Sequence, residues 1–224
     1  MAFKRRIIFS VCLLFFFRAL PTLANTLTLL GGPNLSRPHD NFGTGYTAGV
    51  SPAFGIGMDI PLFAPSFWGT SQFELEMDLL YVHHQFQTPA AVELNTSSVM
   101  IPALFDFWFN SYLFAGAGLY FNQFVGGVSA KNLNEVPVTH NYEEYSLNKM
   151  DLGYVLAIGG SLPIISDLSV SLQGRYSAGL RNLSSTVSDS FGYRDFQILA
   201  GLSLVLNIGQ WGDVIQGGRF HSGL

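Results

Sequence analysis

Residues 72–81 read Gln-Phe-Glu-Leu-Glu-Met-Asp-Leu-Leu-Tyr, and this pattern carries the prediction of the fold. Apolar and polar side chains alternate along it. The apolar set is Phe73, Leu75, Met77, Leu79 and Tyr81. The polar set is Gln72, Glu74, Glu76 and Asp78. Successive side chains of a β-strand point to opposite faces, so the alternation predicts a strand with one apolar face and one acidic face. A helix would scatter both sets around its circumference.

Three further segments, 46–60, 168–181 and 194–208, repeat this alternation. The predicted strands are long: 72–81 has 10 residues and 46–60 has 15. Strands of globular proteins average ~5–6 residues, whereas a tilted membrane strand needs ~9–11. The pattern therefore predicts an all-β protein, a closed antiparallel transmembrane β-barrel of about eight strands. The predicted strands are 25–36, 44–60, 70–86, 96–109, 112–126, 148–162, 168–181 and 194–208.

The connections between these strands alternate in length. Residues 110–111 and 163–167 form tight turns, and 61–69 is intermediate. The other connections, mostly longer and more polar, are 37–43, 87–95, 127–147 and 182–193. Short periplasmic turns and longer extracellular loops are typical of outer-membrane barrels. Aromatic residues at the strand ends, such as Phe107, Trp108 and Phe109, resemble the rings that lie at the two membrane interfaces.

The first 24 residues are predicted to be a cleaved secretory signal peptide. Three basic residues at 4–6 precede the run 7–17, which is apolar at all but one position, and Ala24 ends the segment. The run is too short to cross a hydrocarbon core of ~30 Å as a helix. The predicted organisation is a signal peptide (1–24), an outer-membrane barrel (25–208), and a C-terminal periplasmic tail or extension of the last strand (209–224).

Charge and cysteine content exclude several classes of protein. The signal peptide takes four of the 11 basic residues with it, which leaves 7 against 15 acidic residues. Too few basic groups remain to neutralise phosphates, so nucleic acid is not a predicted partner. The one cysteine, Cys12, lies in the signal peptide. The mature chain therefore has neither a disulfide nor a thiolate metal site.

Three stretches carry a family resemblance: Gly31–Ser36, Val99–Gly118 and Leu172–Asn182. In order and spacing they resemble the small outer-membrane β-barrel family that includes PorT-like and OmpA-like barrels. The resemblance covers roughly 25–208 and implies an eight-stranded barrel in the bacterial outer membrane. Members serve as structural anchors, adhesins or secretion accessories, so it implies no single activity. One departure is that the segment Gly201–Leu206, which has the glycine and apolar spacing of the family's C-terminal assembly signal, ends in leucine rather than in an aromatic residue.

Several charged residues have the strand parity of the barrel interior. They are Asp59, Glu74, Glu76, Asp78, Asp106, Asp151 and Arg175. They could line a cation path or gate, or they could form a buried ion-pair network that plugs the barrel. Unpaired charges in a confined interior are costly, so Arg175 is predicted to lie among carboxylates. Eight strands leave an interior that side chains can fill, which favours the plug.

The histidines do not predict a metal or catalytic site. His83 and His84 point to opposite faces of one strand, so they cannot chelate the same ion, and they are predicted to be solvated residues at the rim. No motif links a serine to a histidine, and nothing supplies a substrate pocket for paired carboxylates. The protein is therefore predicted to have no enzymatic activity and no cofactor.

The longest loop is the predicted binding region, because functional residues often lie on loops that a rigid scaffold positions. The loop-binding candidates are His140, Tyr142, Glu143, Glu144 and Tyr145. A solvated loop without a partner is the alternative. The predicted partners are outer-membrane lipid, the barrel-assembly machinery during biogenesis, and an extracellular ligand that the sequence does not identify.

The leading functional hypothesis is a non-enzymatic outer-membrane barrel with a structural or adhesin-like role. Three alternatives stay open at this point. The first is a narrow channel or secretion accessory, and the second is a lipid-modifying enzyme. The third is a soluble lipocalin-like carrier, whose apolar faces would point inward.

Overall fold

The computed structural model describes residues 26–40, 47–62, 73–88, 92–131, 137–140, 148–180 and 191–206. No helix in these ranges is long and apolar enough to cross a membrane. The predicted signal peptide and the predicted C-terminal tail lie outside the described residues. The strands are β1 (Thr26–Asp40), β2 (Thr47–Pro61), β3 (Phe73–Gln87), β4 (Glu93–Trp108), β5 (Leu113–Lys131), β6 (Val138–His140), β7 (Met150–Ile165), β8 (Leu168–Gly179) and β9 (Phe191–Val205).

Eight of these strands close into a barrel. Each pairs antiparallel with its neighbours in the order β4-β3-β2-β1-β9-β8-β7-β5, and a β4–β5 pairing completes the ring. The first and last strands pair from Thr26↔Val205 to Asp40↔Phe191. The expectation of an all-β, closed, eight-stranded antiparallel barrel is confirmed. The short strand β6 lies outside the ring and pairs with β5.

The strands are strongly staggered. Following cross-strand partners once around the barrel from Leu27 returns to β1 at Arg37, ten residues further along the strand. Closure with such a stagger tilts the strands by about 35–45° and leaves an interior that side chains fill. The stagger therefore decides which distant side chains meet inside the barrel.

The two faces of the barrel wall differ as the alternation predicts. Glu76 and Asp78 of β3 are buried inside, whereas Tyr81 on the other face is exposed. Large apolar side chains cover the outside, and Ile158 is 67% exposed. A soluble lipocalin-like carrier would show the reverse arrangement, so that alternative is wrong.

The interior also contains apolar layers. The larger cluster consists of Leu30, Ala53, Leu80, Val82, Met100, Leu104, Phe114, Tyr120, Val155, Ala157 and Leu199. A second cluster, which we call the aromatic cap, lies towards the long-loop end and consists of Phe86, Phe124, Val128 and Tyr193, with Leu94 packed against it. Polar layers separate these clusters, as described below.

Several strands extend beyond their predicted ends, mostly at the long-loop end, although β7 also continues to Ile165 at the short-turn end. β1 continues to Asp40 and β5 to Lys131. Backbone pairing continues there although the outward side chains become polar, so the hydrophobic pattern does not mark the strand ends. β6 was not predicted, because three residues are too few to show a period of two. Trp108 also departs from the expected interfacial ring, because its side chain points inward and packs against the larger cluster.

Candidate functional site

A buried arginine connects opposite walls of the barrel. Arg175 lies on β8, and its two partners, Glu76 and Asp78, lie on β3. Three strands separate β8 from β3 in either direction around the ring. Arg175 Nη2 donates to Glu76 Oε1 at 2.7 Å, and Nη1 donates to Asp78 Oδ2. The arginine is 1% exposed, so the ion pair crosses a filled lumen.

Glycines make room for the lumen carboxylates. A Cβ atom on Gly116 would collide with a carboxylate oxygen of Asp106, and one on Gly57 would collide with Asp78. Both glycines lie on strands next to these acids and face the interior. The small residues on the polar faces are therefore matched to the acidic side chains that they face.

The structure divides the predicted lumen set into two groups. Glu76, Asp78, Asp106 and Arg175 are buried in the half of the lumen towards the short turns. Asp59 and Glu74 are half-buried near the same end, and Glu74 Oε2 accepts a hydrogen bond of 2.8 Å from Trp108 Nε1. Asp151 is buried in the other half, where it accepts a 2.8 Å hydrogen bond from the Tyr120 hydroxyl. Across the described ranges, no group of three or more His, Cys, Asp or Glu is arranged to hold a metal ion.

His84 forms a second polar centre in the half of the lumen towards the long loops. Its Nδ1 lies 2.9 Å from Ser36 Oγ on β1, and its Nε2 lies 2.8 Å from Ser98 Oγ on β4. Asp195 Oδ1 on β9 is 3.4 Å from Nδ1. Two rings of the aromatic cap stack near the imidazole, with centroid distances of 5.0 Å to Tyr193 and 5.7 Å to Phe124.

The prediction that both adjacent histidines are solvated rim residues is wrong for His84, which is fully buried. The wall continues past His84 on β1, β4 and β9, so the residue lies inside the barrel instead of at its rim. His83 points outward as expected and lies 3.0 Å from Ser97 Oγ. Asp195 was missed among the lumen carboxylates. Asp195 lies two residues before Gln197, so the period of two places both side chains on the same inward face of the strand.

The predicted loop-binding residues lie largely outside the described residues. His140 ends β6, where it pairs with Val128, but its side chain is not described. Tyr142, Glu143, Glu144 and Tyr145 fall in the range 141–147, outside the described residues. The structure therefore locates the start of this loop next to the end of β5.

Together these features define the class: a closed eight-stranded barrel with an apolar exterior and a lumen filled by polar and apolar side chains. No protein-family model matches the sequence, and no curated protein matches it significantly. Among solved structures, the chain is similar to Neisserial surface protein A (TM-score 0.49, 13% identity, 80% of this chain and 97% of that chain). It is also similar to the outer membrane protein OprG from Pseudomonas aeruginosa (0.48, 11%, 82% and 97%). A third similarity is to Ail, the attachment invasion locus protein of Yersinia pestis (0.41, 8%, 81% and 99%).

Removing the cross-lumen cation should destabilise the barrel strongly. We expect Arg175→Met to lower the free energy of unfolding by about 3–5 kcal/mol, because it leaves two buried carboxylates without their partner. Urea titration of the refolded protein, followed by the mobility shift on unheated gels, measures this loss. The triple variant Arg175→Met, Glu76→Gln, Asp78→Asn should recover most of the stability. If Arg175→Met alone were as stable as the wild type, the stabilising role of the Arg175 ion pair would be contradicted.

The two adjacent histidines provide a matched comparison. His84→Ala should cost about 2–4 kcal/mol, because it opens a cavity beside the aromatic cap and removes the ring partner of two serine hydroxyls. His83→Ala should cost less than about 1 kcal/mol, because the residue is half-buried on the outer face. The same urea titration compares them, and equal losses would show that the lumen position of His84 is not what stabilises the barrel.

Proposed function

We propose that the chain is an integral protein of the bacterial outer membrane, with no enzymatic activity. In this proposal lipid surrounds the barrel, and its lumen is closed. The long-loop end serves a structural or surface-binding role, as in an adhesin.

The observation that carries the membrane proposal is the apolar belt, the continuous outer surface formed by large exposed hydrophobic residues of all eight barrel strands. One from each strand, in chain order, is Leu29, Phe54, Tyr81, Phe105, Leu119, Leu156, Leu172 and Ile198. Soluble monomers rarely expose contiguous apolar patches beyond a few hundred Å². In lipid the belt is favourable, and closure satisfies the backbone groups that an open sheet edge would leave unpaired.

The filled lumen favours a closed barrel over a channel. The Arg175 ion pair crosses one half of the interior, and the His84 cluster and the aromatic cap occupy the other. The larger apolar cluster packs inside the same barrel. Ions would have to pass all of these layers. The same burial opposes catalysis, since a substrate would have to reach carboxylates that lie beneath packed side chains.

The long-loop end favours a binding surface. β5 runs for 19 residues and continues beyond the belt into the short pairing with β6. On the outer face there, Glu93 Oε1 accepts hydrogen bonds of 2.9 Å from Gln85 Nε2 and from Asn95 Nδ2. Side chains that are hydrogen-bonded to one another in this way make the end of the sheet a rigid support for the loops. Loops on a rigid scaffold are a common location for recognition.

The membrane proposal is tested by fractionation of expressing cells. We expect the full-length protein in the outer-membrane fraction, extractable by detergent but not by salt. Closed transmembrane barrels resist detergent, so the unheated sample should migrate differently from the heated sample on SDS gels. A periplasmic protein that stays dissolved without detergent would overturn the proposal.

The surface-binding role is tested in the predicted loop. We expect Tyr142→Ser with Tyr145→Ser to reduce the attachment of expressing cells to plates coated with extracellular-matrix proteins. A loss of about fivefold or more is expected, because tyrosines often carry more than 1 kcal/mol each at interfaces. The control is Tyr112→Ser, an exposed tyrosine at the opposite end of the barrel. Attachment that is equal in both variants would favour a purely structural role.

A further inference from the structure

Two arginines lie directly opposite each other on the outside of the barrel. Arg37 of β1 and Arg194 of β9 are cross-strand partners, and both are exposed. The next outward pair towards the short-turn end is Leu35↔Phe196, whose exposed side chains belong to the apolar belt. Like charges directly opposite on one face of a sheet are destabilising. The pair therefore needs an explanation other than stability.

No carboxylate of the described residues neutralises this pair. The nearest acid along the chain, Asp195, points into the lumen and contacts His84 there. Among the described residues, the ion pairs are those of Arg175, and neither Arg37 nor Arg194 takes part in one. Within the ranges that the structure describes, neither guanidinium group therefore has a carboxylate partner, so an anion from outside the chain can take that place.

The pair lies where the apolar belt ends. Arg194 has a second cross-strand partner, Ala178 of β8, and Ala178 in turn pairs with Tyr154 of β7. The rings of Tyr154 and Tyr176 lie 6.3 Å apart on the same surface. Tyrosines favour the membrane interface, and an arginine stem can lie along apolar surface while its charge reaches the headgroups. This position therefore matches the depth of lipid headgroups.

The distribution of charge along the barrel supports an anionic environment at this end. Besides Arg175 in the lumen, the basic residues of the described ranges are Arg37, Lys131, Lys149 and Arg194, all exposed and all towards the long loops. The short-turn end instead carries Asp59, Glu74 and Asp167. In the described part of the chain, the exposed positive charge is thus concentrated at one end.

We propose that Arg37 and Arg194 form a clamp for a phosphate group of a phosphorylated lipid in the leaflet at the long-loop end. This inference rests on the proposed membrane location. Two guanidinium groups can each donate two hydrogen bonds to one phosphate, whose charge replaces their mutual repulsion by attraction to a shared anion. The clamp would fix lipid to the junction of the first and last strands.

The test compares full-length wild type with Arg37→Gln/Arg194→Gln. The control is Lys131→Gln/Lys149→Gln, which removes the same charge at the same end. Each protein is reconstituted into phosphatidylcholine vesicles with or without bis-phosphorylated lipid A. A third arm adds inorganic phosphate to the plain vesicles. The readouts are the midpoint temperature of the heat-dependent gel shift, and the lipid retained after detergent extraction, counted by mass spectrometry.

We expect the arginine substitutions to shift the midpoint temperature of the gel shift in opposite directions in the two kinds of vesicle. In plain vesicles the variant should unfold at a higher temperature than wild type, because the repulsion is gone. With lipid A it should unfold at a lower temperature and retain the lipid about tenfold more weakly, a loss of about 1.4 kcal/mol. The lysine variant should follow wild type in both vesicles.

Three results would overturn the clamp while leaving the membrane location intact. They are insertion with the same midpoint difference between the arginine variant and wild type in both vesicles, an equal loss in the lysine variant, and a full effect of inorganic phosphate alone. If wild type failed to insert into either vesicle, the membrane proposal and the clamp would both fall.

Discussion

The pairing of β1 with β9 is the constraint on which the rest of the structure depends. It closes the ring, and with the ten-residue stagger it fixes the height of every inward side chain relative to the others. Residues separated by almost a hundred positions, such as Asp78 and Arg175, meet only because of this closure. Closure also satisfies the backbone groups of both terminal strands, which would otherwise form an open edge.

The interior follows from the narrow diameter of an eight-stranded barrel. Side chains fill such an interior, so each charge inside must have a partner close by. Arg175 meets this requirement for Glu76 and Asp78. The buried ring of His84 has two serine hydroxyls within hydrogen-bond distance of its nitrogens. Glycines facing the carboxylates keep the wall close to them. Polar layers alternate with apolar ones, which makes the lumen a packed core.

The outer surface combines two kinds of environment along one axis. Exposed apolar side chains surround the middle of the barrel, and exposed basic side chains appear only where that belt ends on the long-loop side of the described residues. The clearest example of an exposed basic group at the end of the belt is the Arg37↔Arg194 pair, which places two like charges opposite each other at the β1–β9 junction that closes the barrel. The same junction thus carries both the topology and the charge pattern from which an interaction with anionic lipid is inferred.

The strand class, and the side of the wall on which each residue of Phe73–Tyr81 lies, could be predicted from the sequence because a period of two is a local property. The eight-stranded barrel was predicted from the number and length of the alternating segments. The sequence also predicted Arg175 among carboxylates from the cost of an unpaired buried charge. The three-dimensional structure was needed to show which carboxylates it meets, that His84 is buried, and that Arg37 faces Arg194. Those outcomes depend on stagger and closure, which join strands far apart in the chain and leave no local pattern in the sequence.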